Sequence, residues 1–404
     1  MSLSLNRNTR YLGQSAPAFK LAFVTGLQTL ITVGIYRFWA KTRMRKYIWS
    51  SVSIDGDVFE YTGTGLEKLL GFLIAIVFLA VYLAGIQLIL TFIGLGMINN
   101  PDNELAILAS VYLSFFAIAP FLLFAIYRAR RYKLARTRLR GIRFGMDPAA
   151  WGYAFRAIGH YFLTFITLGI LLPRQSFYLE KFMTDRSHYG DARFEQGGRW
   201  QGLYGAMKHL FIGLGVTIAG AALAAAATPI LGTIAIVIGY VWLMLGFLYY
   251  RVHSYAYLAN HKTLGGQVTF TATPRMGEIV KTVILGTLAI SLAGGVAFSV
   301  LAAVMFALFG GLGAGLDAGL GAGMDMDMGP SIAAVLPLIL GYLLIFVALG
   351  ALSVVMITQP IIAHLVNTLQ VNNTQALADI RQRHYDTGAD ADGFADALDV
   401  GGAI

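Results

Sequence analysis

Few side chains in this sequence are spaced for chemistry, and the histidines come first. The seven histidines are scattered, without the spacing that would hold a metal ion. His160 alone falls within an apolar run, where a hydrogen-bonded structural histidine is the plainer reading. Cysteine is absent, which excludes thiolate ligands, iron–sulfur clusters and disulfides. Met324, Met326 and Met328 alternate with Asp325 and Asp327. Thioethers are soft donors that suit Cu(I), but no histidine or cysteine stands beside them, so a floppy loop is expected. Gly63-Thr64-Gly65-Leu66-Glu67-Lys68 has the glycines of a phosphate loop, yet lacks its spacing and the Ser/Thr after the lysine. No nucleophile–base pair or paired-carboxylate set is evident. The sequence predicts no enzyme, no cofactor and no metal site.

Cations set among aromatic rings are the stronger signal. In a helix over 36–49, Arg37, Lys41 and Arg45 recur every fourth residue, interleaved with Tyr36, Phe38, Trp39, Tyr47 and Trp49. Such a helix lies in the membrane interface, rings at headgroup level and cations on phosphates. Arg128–Arg143 holds eight further Arg and Lys, among them Arg130, Arg131 and Arg138. At about 1 kcal/mol per cation near an anionic surface, these residues are candidate contacts for anionic lipid. Charge that merely fixes topology would look the same. Nucleic acid is not an expected partner, because the rings are needed by the membrane, and protein partners are not legible.

The elements that carry these residues are apolar. Of 404 residues 57% are hydrophobic and 13% charged, with a mean hydropathy of +0.66. Soluble domains carry roughly 25% charged residues. The chain therefore reads as an all-α polytopic membrane bundle. Runs near the ~20 residues that cross a bilayer occur at about 69–94, 105–127, 210–227, 230–250, 279–309 and 332–357. Two weaker runs, 19–35 and 157–172, either span or re-enter. The polar start shows no cleavable signal sequence.

Charge chooses between those alternatives. If both weak runs leave and return on one side, all 30 Lys and Arg fall on that side. The opposite loops then carry only Asp102, Glu104, Asp317, Asp325 and Asp327. The positive-inside rule favours this arrangement: six spans, two re-entrant or interfacial hairpins and both termini cytoplasmic. Backbone that turns within a bilayer must be covered or line a wet cavity. Thr32, Gly34, His160, Thr167 and Gly169 are the candidate lining of such a pathway.

The chain also repeats itself. Ile31, Thr32, Gly34, Ile35, Lys46, Phe59, Glu60 and Gly63 recur 135 positions later as Ile166, Thr167, Gly169, Ile170, Lys181, Phe194, Glu195 and Gly198. Arg45-Lys46-Tyr47, Gly56 and Phe59 recur 85 positions on as Arg130-Arg131-Tyr132, Gly141 and Phe144, and a looser copy ends at Phe270. An internal tandem duplication is expected. It comprises an N-terminus (1–18), two membrane repeats (19–146 and 154–273), a helical pair (277–358) with an external Gly/Met/Asp loop (310–330), and an acidic tail (359–404). Each repeat should carry small cytoplasmic β-hairpins. They could join in one layer or pack singly, and the sequence leaves both open.

The run TLITVGIYRFWAKTRMRKY, the IDGDVFEYTG hairpin, the LGGQVTF copy and the tail ADGFADALDVGGAI together resemble the bacterial inner-membrane YjgN family, a family of unknown function. The resemblance implies a multi-pass protein of the bacterial cytoplasmic (inner) membrane and carries over no catalytic residue. One departure is Gln359-Pro360-Ile361-Ile362, where family members tend to be aromatic and basic. The leading expectation is a non-enzymatic membrane protein with a passive pathway or binding site for a small solute or lipid between the repeats. The alternative is a structural or interaction protein that organises anionic lipid through a basic aromatic face.

Overall fold

The computed structural model describes residues 8–93, 103–226, 228–307 and 332–383, with side chains from 336 onward in the last stretch. The Met/Asp loop and the acidic tail beyond residue 383 lie outside the described residues.

Helix dominates, because long stretches of Leu, Ile, Phe, Ala and Val carry few charges. Six helical stretches are long and apolar enough to cross a membrane. These are α3 (Gly65–Phe92), α4 (Glu104–Ala135), α7 (Lys208–Ala226) led in by a 3-10 turn (Trp200–Met207), α8 (Pro229–Asn260), α9 (Met276–Met305) and α10 (Ile332–Ser353). The last continues through a π-helical turn (Val354–Thr358) into α11 (Gln359–Asn367). Side chains cap two of the starts: Thr64 Oγ1 accepts from Glu67 N, and Asn103 Oδ1 from Ala106 N, each at 3.2 Å.

Shorter pairs precede α3 and the 3-10 turn. They are α1 (Ser15–Ile31) with α2 (Arg37–Ser50), and α5 (Ala150–Ile166) with α6 (Leu172–Thr184).

Packing divides the chain into two units. One comprises residues 13–47 and 277–364. In it α1 packs against α10, where Gly26 leaves room for Val347. The other comprises 1–12, 48–276 and 365–404. There Gly232, Gly239 and Gly246, one per two turns of α8, sit directly on the backbone of α7. Small residues let membrane helices approach closely in this way. Between α3 and α4 a polar side chain deep in the apolar stretch is satisfied: Gln87 Nε2 donates to Ser114 Oγ at 2.7 Å.

The second unit also holds a ten-stranded antiparallel sheet in chain order. Its strands are β1 (Thr9–Tyr11), β2 (Val52–Ile54), β3 (Asp57–Tyr61), β4 (Thr137–Leu139), β5 (Ile142–Met146), β6 (Ser187–Tyr189), β7 (Ala192–Gln196), β8 (Lys262–Leu264), β9 (Val268–Ala272) and β10 (Leu369–Asn372). The four hairpins thus join in one sheet. Two-residue turns with positive φ, Asp55-Gly56 and Arg140-Gly141 among them, reverse the chain. The register is staggered. One half of β3 pairs within its own hairpin, Ser53 opposite Val58, and the other half with the next, Phe59 opposite Leu139.

The final strand returns to the first. Asn8 bridges them with its side-chain amide, donating to Val371 O and accepting from Val371 N, while Thr9 Oγ1 donates to the Val366 and Leu369 carbonyls. These side-chain bonds cover part of the two edges that would otherwise be open to pairing. The equivalent phenylalanines stack along the sheet: Phe59 on Phe144 at 6.0 Å, Phe144 on Phe194 at 6.4 Å, and Phe194 on Phe270 at 6.3 Å. Leu139, Tyr189, Leu264, Val268 and Val371 are buried beside them. Leu377 and Ile380 join the same cluster, so the segment after β10 fills it.

Candidate functional site

Two sharp turns, between α1 and α2 and between α5 and α6, hold four of the five candidate lining residues, Thr32, Gly34, Thr167 and Gly169, while His160 lies in α5. They adopt one geometry. Val33 and Leu168 have φ of 51° and 48°, followed by Gly34 and Gly169 at 89° and 88°. Thr32 Oγ1 donates to Gln28 O at 2.8 Å and accepts from Tyr36 N at 2.9 Å. Thr167 Oγ1 donates to Leu163 O at 2.8 Å and accepts from Leu171 N at 3.3 Å. One hydroxyl thus closes the outgoing helix and opens the incoming one. Two glycines suit their backbone, but Val33 and Leu168 do not: a left-handed β-branched or bulky residue is a genuine outlier. Both side chains are almost wholly exposed, at 91% and 87%. Flanking Ile31, Ile35, Ile166 and Ile170 are exposed as well. Each tip therefore presents an apolar point held up at conformational cost.

Cations and rings follow each tip. In α2 Arg37 lies over Phe38 at 5.6 Å, Trp39 stacks on Tyr36 at 6.0 Å, and Lys41 lies one turn after Arg37. Arg45 is buried, at 5% exposure. In α6 Arg174 lies over Tyr178, the ring on which His160 stacks at 5.6 Å.

The second basic segment is largely committed to internal contacts. Arg130 Nη1 and Nη2 donate to Glu180 Oε2 and Oε1 at 2.6 and 2.8 Å. Thr184 Oγ1 adds a bond to Glu180 at 3.0 Å, and Lys262 Nζ stands 3.5 Å away. Burial raises the Glu180 carboxyl, but the Arg130 guanidinium overrides it and holds the group well below the usual carboxylate range. Arg131 Nε donates to Met146 O at 3.0 Å. Arg138 sits in β4 with Arg143 opposite on one side and Glu60 on the other. Burial first, then Arg138 and Arg136, lower the Arg143 guanidinium.

Two features escaped sequence reasoning. Glu180 stands 135 positions after Arg45, so the second basic helix carries a reversed charge that the alignment of the two copies contains. The segment after β10 reads in the sequence only as tail. Asp191 N donates to Arg381 O at 2.9 Å, Arg381 N returns to Asp191 Oδ1 at 3.1 Å, and Gln382 Oε1 accepts from Arg143 N at 2.8 Å.

Among the described residues no group of three or more His, Asp or Glu is placed to hold a metal ion. The model of a family described as "Bacterial protein of unknown function (DUF898)" matches residues 6–397. The inner membrane protein YjgN of Salmonella typhimurium strain LT2 is 27% identical over 153 residues, covering 37% of this chain and 34% of that relative. The chain thus spans about a third of that relative's length. No solved structure matches.

Proposed function

The chain belongs to the DUF898 family of bacterial proteins of unknown function, and from that membership we propose a non-enzymatic, multi-pass inner-membrane protein whose basic, aromatic face engages anionic lipid. The apolar tips carry this reading. A left-handed valine or leucine is strained by roughly 1 kcal/mol or more, and glycine or asparagine would occupy the position more easily. An apolar side chain retained there, exposed and followed by a helix of cations and rings, suits a point that dips below the headgroups.

Topology supports the same reading. β1 and β2 are hydrogen-bonded neighbours, as are β5 and β6. A sheet cannot pair through a bilayer, so each tip-bearing excursion returns to the side it left. The four hairpins then share one side with β1 and β10, and the cation distribution makes that side cytoplasmic. The tandem duplication is supported by the matching turns and stacked phenylalanines. A passive solute pathway has less to draw on, because the hydroxyls of Thr32 and Thr167 already serve their own helices.

The test places an environment-sensitive dye at Val33→Cys and, separately, at Leu168→Cys in liposomes. Dyes quenched by lipid brominated on the acyl chain, and shielded from aqueous iodide, are the expected result. Dyes open to iodide and untouched by brominated lipid would end the tip reading.

A further inference from the structure

We infer that a cavity between α4 and the start of α5 is a binding site for the headgroup of a single anionic phospholipid. The inference rests on the lipid reading above and gives it one defined site away from the tips. The cavity has a volume of about 500 Å³ and is lined by Phe124, Arg128, Arg131, Pro148, Trp151 and Gly152, with their neighbours. That size lies within the ~300–1,000 Å³ typical of ligand sites.

Its walls are set before any ligand arrives. Tyr127 Oη donates to Asp147 O at 2.6 Å and Arg131 Nε to Met146 O at 3.0 Å, which straps the end of β5 against α4. Arg131 is only 8% exposed, and its guanidinium is fixed at the cavity wall. Arg128 lies over the ring of Phe124 at 5.7 Å, one turn toward the membrane. Two guanidiniums on one wall offer the planar, charge-assisted donors that phosphate takes best.

The other walls point to a lipid. Trp151 packs on Phe124 at 4.7 Å and on Phe121 at 5.5 Å, and Phe155 extends the apolar surface beyond it. Arg128 is the first cation of α4 after its apolar span. Rings below and guanidiniums above therefore straddle the level where acyl chain meets headgroup. The amino end of α5 adds a smaller contribution. Its cap residue Ala149 makes no side-chain bond, and the first-turn residues Ala150, Trp151 and Gly152 line the cavity. Phosphate is the shared chemistry of a lipid headgroup and a free phosphate ester. The aromatic floor favours the lipid.

Native mass spectrometry of the purified full chain tests this, with phosphatidylglycerol, phosphatidylcholine and glycerol 3-phosphate as probes. Wild type should retain one phosphatidylglycerol in preference to phosphatidylcholine. Arg128→Gln and the cavity-filling Ala150→Phe should each weaken that retention at least tenfold, while Lys208→Gln, outside the cavity, leaves it unchanged. An unchanged melting temperature separates lost binding from lost fold, and either variant alone suffices if the other fails to fold. Retention unchanged in the folded variants, or no phosphatidylglycerol held by wild type, would overturn the cavity while the tip-quenching result stands apart. Displacement by equimolar glycerol 3-phosphate would mark a site for free phosphate esters and overturn the lipid assignment.

Discussion

Arg130 and Glu180 meet fork to fork, both guanidinium nitrogens on both carboxylate oxygens at 2.6 and 2.8 Å. The pair joins the end of α4 to α6, and Lys262 brings β8 to the same carboxylate. Breaking a fully buried pair costs about 3–5 kcal/mol. These side chains keep 31% and 23% exposure, so a smaller cost is expected. Glu180→Gln, which leaves two cations facing a neutral amide, should destabilise the protein by about 2 kcal/mol. Arg130→Met should cost a similar amount, and the double variant less than the sum. Additive losses in thermal unfolding would show that the pair is not coupled.

The same carboxylate sets an acid limb. Its folded pKa is depressed, so its contribution is fully present above the ordinary value near ~4.3 and fades as pH falls from there through the folded value. Stability of wild type should drop over that acid range, and Glu180→Gln should flatten the drop. Parallel pH profiles of melting temperature would show that other groups carry it.

Much of this architecture is legible in the residues. Apolar runs alone locate the six long helices, because bilayer thickness fixes their length. The recurring phenylalanines Phe59, Phe144, Phe194 and Phe270 are visible as repeats, and they turn out to stack. What the sequence leaves open is the joining of the hairpins. Their pairing links residues as distant as Asn8 and Val371, and no local pattern encodes such a register. Arg130 and Arg131 illustrate the same limit. A run of cations reads as solvated charge until its partners are known, and here those partners are Glu180 and the Met146 carbonyl.

Topology can be read with single cysteines, since the chain has none. Exposed sites in the sheet are needed, and Glu60 on β3 and Glu195 on β7 meet that need, whereas Ser51 and Tyr189 are buried. Cysteines at Glu60 and Glu195 should resist an impermeant reagent in intact cells, while those at Asn100 and Asp317 should label. Labelling of Glu195→Cys from outside would mean that the α5–α6 excursion crosses.

Threonine at each tip should act on stability. Replacing Thr32 by Val keeps the shape but deletes one donor and one acceptor, at about 1 kcal/mol. The same holds for Thr167, and the two losses should add. Gly34→Ala should also cost about 1–2 kcal/mol through backbone conformation alone, since nothing lies within 4 Å of the added carbon. Melting temperatures unchanged by Thr32→Val and Thr167→Val would mean that these hydroxyls do not hold the turns.

The last prediction concerns the segment after β10. Gly190, at φ 54°, lets the Arg381 carbonyl approach so closely that an added Cβ would lie 2.3 Å from its oxygen. Ile142 and Ile380 would each be 2.9 Å from the same carbon. Backbone cannot swing aside as a flexible side chain can, so Gly190→Ala should lift Ile380 and Arg381 off the sheet. Gly141→Ala is the matched control. Its φ is also positive, at 77°, but nothing lies within 4 Å, so it bears the conformational cost without the collision. Leu377→Asp attacks the same docking differently, by placing a carboxylate in the apolar cluster. Hydrogen exchange should then show residues 374–383 losing on the order of a hundredfold protection, or ~2.7 kcal/mol, in Gly190→Ala and Leu377→Asp. Gly141→Ala should keep wild-type protection there, and all three should retain protected membrane helices. Wild-type protection of 374–383 in Gly190→Ala would mean that the close approach at Gly190 does not hold the segment in place.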